Sequence, residues 1–162
     1  MPITKNQVTK RVRLNNREGW SELTVDQKEE VKARIGEVLS NEVNRYLKRS
    51  ETPVNDGEFL KPLSKEYAKR SGKRNSDMFL DGDMLAQLTF EQYRDGIDFG
   101  IFDPDEAIKA YAHHTSYKGH PTIKRTDLKR QFIPKEKGGT FNEDIESKIN
   151  DIILKAVKNG KN

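Results

Sequence analysis

The chain has no cysteine, which excludes disulfides, thiolate nucleophiles and cysteine-based zinc sites. No stretch approaches the ~18 consecutive apolar residues of a membrane span. The opening, Met1-Pro2-Ile3-Thr4-Lys5, lacks the apolar core of a signal peptide, so a soluble protein made in a cytoplasm is the expectation. Histidine is scarce: His113, His114 and His120 are the only three. Apolar side chains are thin as well. Leu, Ile, Val and Phe number 37 of 162 residues, about 23%, just above the roughly 20% below which a charged chain tends toward disorder. Neither sign of charge dominates, with 30 Lys and Arg against 26 Asp and Glu for a net charge of +4. Such a balance permits contact with nucleic acid or an acidic protein surface without requiring either. A chain of this length suits one domain that buries roughly 70% of its unfolded surface, here with a modest core and loops that order against a partner.

What is present divides into segments. Residues 1–20 carry Lys5, Lys10, Arg11, Arg13 and Arg17 among few apolar residues and read as a mobile basic arm, either a frayed terminus or a partner-binding tail. Residues 21–158 form the domain and 159–162 a tail. Thr24 with Gln27 fits a capping box, in which each side chain satisfies the other's orphan amide. Val31, Ile35, Val38, Leu39, Val43, Tyr46 and Leu47 then recur at three- and four-residue spacing, one apolar stripe on a long helix over about 25–49. Pro53 and Gly57 make 50–61 a loop. Ser64 caps a short basic helix that stops at Gly72, Lys73-Arg74-Asn75-Ser76 is a polar stretch, and Asp81 or Asp83 caps another short helix with Met84, Leu85 and Leu88.

The clearest strand signal runs from Thr89 to Phe102, with a turn at Asp95-Gly96. An Asp-Gly pair between alternating residues favours a two-residue hairpin, here over about 88–102. The expected register sets Arg94 opposite Ile97, Gln92 opposite Phe99 and Phe90 opposite Ile101. Leu88, Phe90, Ile97, Phe99 and Ile101 then share one face, with Glu91, Tyr93 and Asp98 on the other. Asp103-Pro104-Asp105-Glu106 is a helix start with a cap, a proline in the first turn and acids at the positive dipole end. That helix carries His113 and His114 to its C-terminal end. Residues 115–139 are basic and irregular. A last helix opens with a capping box in Thr140-Phe141-Asn142-Glu143, and its stripe is Ile145, Ile149, Ile152, Ile153, Ala156 and Val157. Helices flanking a small antiparallel sheet make an α+β domain.

Candidate chemistry is sparse. A metal site needs about three converging ligands; the histidines with Asp127 are the available set, but adjacent histidines diverge, and a helix C-terminus favours a cationic histidine without any metal. His113-His114 with Gly138-Gly139 and Asn142 faintly resembles a His-Asn-His nuclease, which needs a further histidine after the asparagine; none follows His120. The clusters Lys69-Arg70 with Lys73-Arg74, and Lys124-Arg125 with Lys129-Arg130, have the density to neutralise phosphates. They lack the interleaved aromatics of a single-strand binder and have Glu66, Asp77, Asp127 and Glu136 nearby, which fits a solvated face or a salt-bridging protein interface. No nucleophile elbow or phosphate-cradling glycine loop is present.

Several motifs follow one another in order. Leu63-Ser64-Lys65-Glu66-Tyr67-Ala68-Lys69-Arg70 resembles the Leu-Ser-x-x-Tyr-Ala-x-Arg step of the phage virion morphogenesis, or tail-completion, family. Leu80-Asp81-Gly82-Asp83-Met84-Leu85 is similar to that family's Leu-x-x-Gly-x-Leu segment, which introduces a β-hairpin. Tyr111-Ala112-His113-His114 followed by Gly119 resembles its Tyr-Ala-x-x-His-x-x-Gly element. Arg130-Gln131-Phe132-Ile133-Pro134 and the helix start at Asn142-Glu143-Asp144 resemble its Arg-Pro-Phe-Leu-Gly segment and final helix. The resemblance covers about 55–158. Asp81 stands where the family has Thr or Ser, Gln131 replaces a proline, and Asp103–Lys109 reads as an insertion.

The resemblance implies a structural assembly protein without catalytic activity or cofactor, acting in tail completion or head–tail joining, as part of a ring. Its implied partners are other virion proteins, a tail tube or terminator or a head-side connector, in the virion and in host cytoplasm during assembly. Aromatics and arginines anchor interfaces most often, which makes Tyr67, Arg70, Tyr117, Lys118, Arg125, Arg130 and Phe132 the expected partner surface. The alternative is a basic nucleic-acid-binding module. A metal-dependent hydrolase using the histidines ranks third.

Overall fold

A computed structural model describes residues 3–4, 6–49, 51–57, 85–114 and 131–160, with the backbone alone at Ala112 and His113. The expected helix from Ser64, the polar stretch 73–76, the caps Asp81 and Asp83, and the basic run 115–130 lie outside the described residues. Along the chain come β1 (Val8–Arg13), a 3-10 turn (Trp20–Glu22), α1 (Val25–Lys48), β2 (Thr89–Tyr93), β3 (Gly96–Ile101), α2 (Pro104–His114) and α3 (Glu143–Gly160). The strands form one antiparallel sheet in the order β1-β3-β2, and with the helices this is an α+β fold. No helix among the described residues is long and apolar enough to cross a membrane.

Helix α1 begins where the sequence places it. The Gln27 amide donates to Thr24 Oγ1 at 3.2 Å and the Thr24 amide to Gln27 Oε1 at 2.8 Å, which satisfies two orphan donors of the first turn. Val31, Ile35, Leu39, Val43 and Leu47 are buried along one stripe, and Lys32 and Gly36 are buried with them. Gly36 is there for space: a Cβ at this position would lie 2.2 Å from the Phe90 ring of β2. Lys32, 4% exposed, is tolerated because its ammonium pairs with Glu29 and donates to the Tyr93 carbonyl, each at 3.0 Å, consistent with the rule that buried charge requires partners.

Helix α3 lies against α1, with Ile145, Ile149 and Ile153 buried. Its cap is Asn142, not Thr140. Asn142 Oδ1 accepts the Ile145 amide at 3.0 Å while Glu146 accepts that of Phe141 at 3.2 Å. Phe141 is meanwhile bridged to Val54 of the preceding loop, so the chain is still strand-like where the helix was expected to begin. The helix continues to Gly160, so Asn159 and Gly160 of the expected tail belong to its last turn. Across the α1–α3 seam, Arg45 holds Glu42 at 2.6 Å and Asp144 at 3.0 Å, and Lys148 holds Glu42 at 2.9 Å. Burial opposes ionisation of Glu42, but hydrogen bonds from Arg45 and Lys148 outweigh it and hold the carboxyl below its ordinary value. That contribution is present above the ordinary carboxylate range and is lost as pH falls through the lowered value.

Helix α2 starts at Pro104, with Asp103 Oδ1 accepting the Asp105 amide at 2.9 Å, and buries Ala107 and Ala110. Buried side chains from Val8 to Ile153 form one cluster. At its centre Phe99 meets Phe141 edge to face, 6.1 Å between centroids.

Two expectations are corrected here. Residues 8–13 are not a mobile arm. Val8, Val12 and Leu14 are buried, and β1 pairs with β3 from Val8 opposite Ile101 to Arg13 opposite Gly96. Lys10 stands between Val8 and Val12 on the face that meets Ile97, Phe99 and Ile101, so a basic residue interrupts the apolar period that would mark a strand. The hairpin register also differs. Tyr93 faces Gly96, Gln92 faces Ile97 and Phe90 faces Phe99, two residues from the expected pairing, with the turn at Arg94-Asp95. A shift of two keeps every side chain on its expected face. The third strand accounts for the shift. The Asp95 carbonyl accepts the Leu14 amide at 2.8 Å, and a Cβ at residue 96 would lie 2.1 Å from the Val12 carbonyl, so the glycine serves the approach of β1 and not a turn position.

Candidate functional site

Of the expected partner residues, Tyr67, Arg70, Tyr117, Lys118, Arg125 and Arg130 lie outside the described residues. Phe132 is described and is a correction: it is 0% exposed and belongs to the core. Its ring packs edge-on to His114, 4.6 Å between centroids. The neighbouring Ile133 and Pro134 are buried too, and a Phe-Ile-Pro run in a charged stretch is the sequence signal for such an anchor.

His114 is 7% exposed at the end of α2. Its Nδ1 lies 2.8 Å from the Ala110 carbonyl, while Nε2 accepts the backbone amides of Phe132 at 3.3 Å and Ile133 at 3.0 Å. An acceptor at Nε2 and a donor at Nδ1 describe the neutral imidazole, in place of the cationic histidine expected at a helix C-terminus. The chain leaves α2 and returns at 132–133 beside the same ring. With both nitrogens turned to backbone, His114 is unavailable as a metal ligand in this geometry. No group of three His, Asp or Glu side chains suited to a metal occurs among the described residues.

The polar surface that sequence reasoning missed is built on β1. Residues Arg11, Asp98 and Glu91 form one row across the sheet, and Arg13, Gly96 and Tyr93 the next. The Arg11 guanidinium pairs with both Asp98 oxygens, at 2.9 and 3.0 Å, and lies 4.2 Å from the centroid of the Tyr93 ring. Tyr93 covers Gly96, and burial raises its phenol above the ordinary value. Around the edge, β1, α3 and residues 136–141 enclose a cleft of about 550 Å³. Arg17 crosses it to Glu146 at 2.7 Å and Asn150 at 2.8 Å. Lys10 donates to the carbonyls of Lys135 at 2.8 Å and Glu136 at 2.9 Å. Burial lowers its ammonium from the ordinary value, against the pull of Glu136 and Glu146.

The register fixes which backbone groups turn outward. Tyr93 and Gly96 close the two-residue turn, so they exchange hydrogen bonds, as do the pairs 91/98 and 89/100; Ile97, Phe99 and Ile101 bond to β1. Thr9, Arg11 and Arg13 on β1, and Phe90 and Gln92 on β2, therefore direct N–H and C=O away from the sheet. On β1 the chain covers its own edge. Ile3 bridges Val8, the Arg11 amide faces Glu136 Oε2 at 3.5 Å, and the Arg13 carbonyl accepts Arg17 Nε at 3.3 Å. On β2, the outward groups of Phe90 and Gln92 have no hydrogen-bond partner among the described residues.

No family model, curated protein or solved structure matches this chain. In this α+β fold Arg17 ties the segment after β1 to α3, and Arg45 and Lys148 tie α1 to α3.

Proposed function

We propose that this protein is a structural component of a tailed-phage virion, acting in tail completion or head–tail joining as one subunit of a ring, and not as an enzyme. The observation that carries the reading is the ordered series of motifs from Leu63 to Asp144. The fold is compatible with it. The hairpin lies between the second and third motifs, and the Tyr111–His114 stretch meets the Phe132–Ile133 stretch through His114, so two motifs far apart in sequence serve one structural joint. Arg11, Arg17, Arg45 and Lys148 are each committed to a carboxylate, which removes these four from the cations open to phosphates, and nucleic-acid binding ranks second.

Partners on this reading are the tail tube or terminator, or a head-side connector, met in the host cytoplasm and retained in the virion. Negative-stain microscopy of lysates from a phage lacking the gene tests it. Separate filled heads and free tails, or unstable joints, are the expected result. Infectious, normally joined particles would overturn it, and steeply salt-dependent binding of the purified protein to duplex DNA would then favour the alternative.

A further inference from the structure

We propose that the edge of β2 is a docking site for an extended segment of a neighbouring protein, which adds as a fourth strand with a lysine or arginine beside Glu91. The inference rests on the sheet geometry and is independent of the phage reading. An uncovered edge presents amides and carbonyls that a partner backbone can pair with. Here those groups belong to Phe90 and Gln92. Thr89, Glu91 and Gln92 are exposed along the strand while Phe90 is half-buried, so the added strand meets a firm apolar base on one face and open side chains on the other.

The charge at this edge selects the occupant. Glu91 has no ion-pair partner among the described residues, whereas Asp98, next to it in the same row, is neutralised by Arg11. A basic residue beside Glu91 would extend the row as alternating signs. A second copy of this chain fits less well, because antiparallel pairing of β2 with itself about residue 91 sets Glu91 against Glu91, and directly opposed like charges destabilise. Pairing β2 to a second copy's β1 is disfavoured by the Glu136 and Arg17 side chains that already occupy that edge.

The test uses the full chain and a synthetic hexapeptide of alternating valine and lysine, with a valine–glutamate peptide as its counterpart, followed by amide NMR. Saturable shifts centred on residues 89–93, with the lysine peptide favoured by roughly fivefold, the upper range of one cross-strand charge pair, are expected. Gln92→Pro removes an outward N–H without breaking a bond to β3 and abolishes the shifts, with its fold checked by thermal melting. Glu91→Lys, a surface change, reverses the peptide preference and keeps the test valid should the proline variant unfold. Absence of shifts at millimolar peptide, shifts insensitive to peptide charge, or shifts that persist in a folded Gln92→Pro would overturn the proposal.

Discussion

Along β1 the outward side is met by the chain itself, by the Ile3 segment, whose Thr4 amide donates to the Gln7 carbonyl just before the strand, by the Glu136 carboxylate at Arg11 and by the Arg17 guanidinium at Arg13. Along β2, only two pairings away in the same sheet, the outward groups of Phe90 and Gln92 have no such partner among the described residues. The difference teaches that open edges are a matter of placement and not of strand composition. Both strands are rich in polar residues, yet β1 is sealed by Ile3 and Arg17 close by and by Glu136 from 125 positions further along the chain, in a segment whose approach also partly desolvates Lys10. Among the described residues, sealing one edge leaves pairing through the sheet a single direction, which limits indiscriminate sheet-to-sheet association.

The largest expected effect comes from removing β1. Deleting residues 1–13 takes Val8 and Val12 out of the core and bares β3, so cooperative thermal unfolding is expected to disappear and the protein to aggregate. A mobile arm could be removed with little effect on the melt. Next is Gly36→Ala, which forces a Cβ against the Phe90 ring behind the open edge. Overpacking of this kind costs about 1–3 kcal/mol. Combining it with Phe90→Ala should relieve the clash, so that denaturant midpoints give strongly non-additive costs.

Arg11→Ala removes the Asp98 pair and the cover over Tyr93; both lie at a partly exposed site, so a loss of about 0.5–1 kcal/mol is expected, shrinking with added salt. Smallest is Glu136→Ala. Its stability cost is expected within about 0.5 kcal/mol, as for surface changes generally. Faster exchange of the Arg11 amide, and concentration-dependent association by sedimentation, should nonetheless report an uncovered β1 edge.

Much of this fold was legible in the sequence where one residue type does one job. The Thr24–Gln27 box, the stripe from Val31 to Leu47, the Asp103-Pro104 start and the isoleucine stripe of α3 are local patterns, and each appears where local physics puts it. What was not legible depended on distant partners. Residues 8–13 look like a charged tail because Lys10 falls between Val8 and Val12 on their own face, and because Arg11 and Lys10 find their partners 87 and 125 positions away. Asp95-Gly96 has the composition of a turn, but Gly96 is needed for β1 to approach, a demand invisible to a two-strand reading. Phe132 was placed on a partner surface by residue type alone, without weighing its apolar neighbours. The other expected partner residues fall outside the described residues, and the β1 cleft went unnoticed because its cations and carboxylates come from both ends of the chain.

Residue-resolved amide hydrogen exchange on the isolated protein tests the central claim, a third strand sealed on its outer side and an open edge across the sheet. The account predicts slow exchange at Val8, Lys10 and Val12, which bond to β3, and fast exchange at Phe90 and Gln92. Fast exchange throughout residues 8–13, or protection of Phe90 and Gln92 equal to that of their β3-bonded neighbours Glu91 and Tyr93, would contradict it.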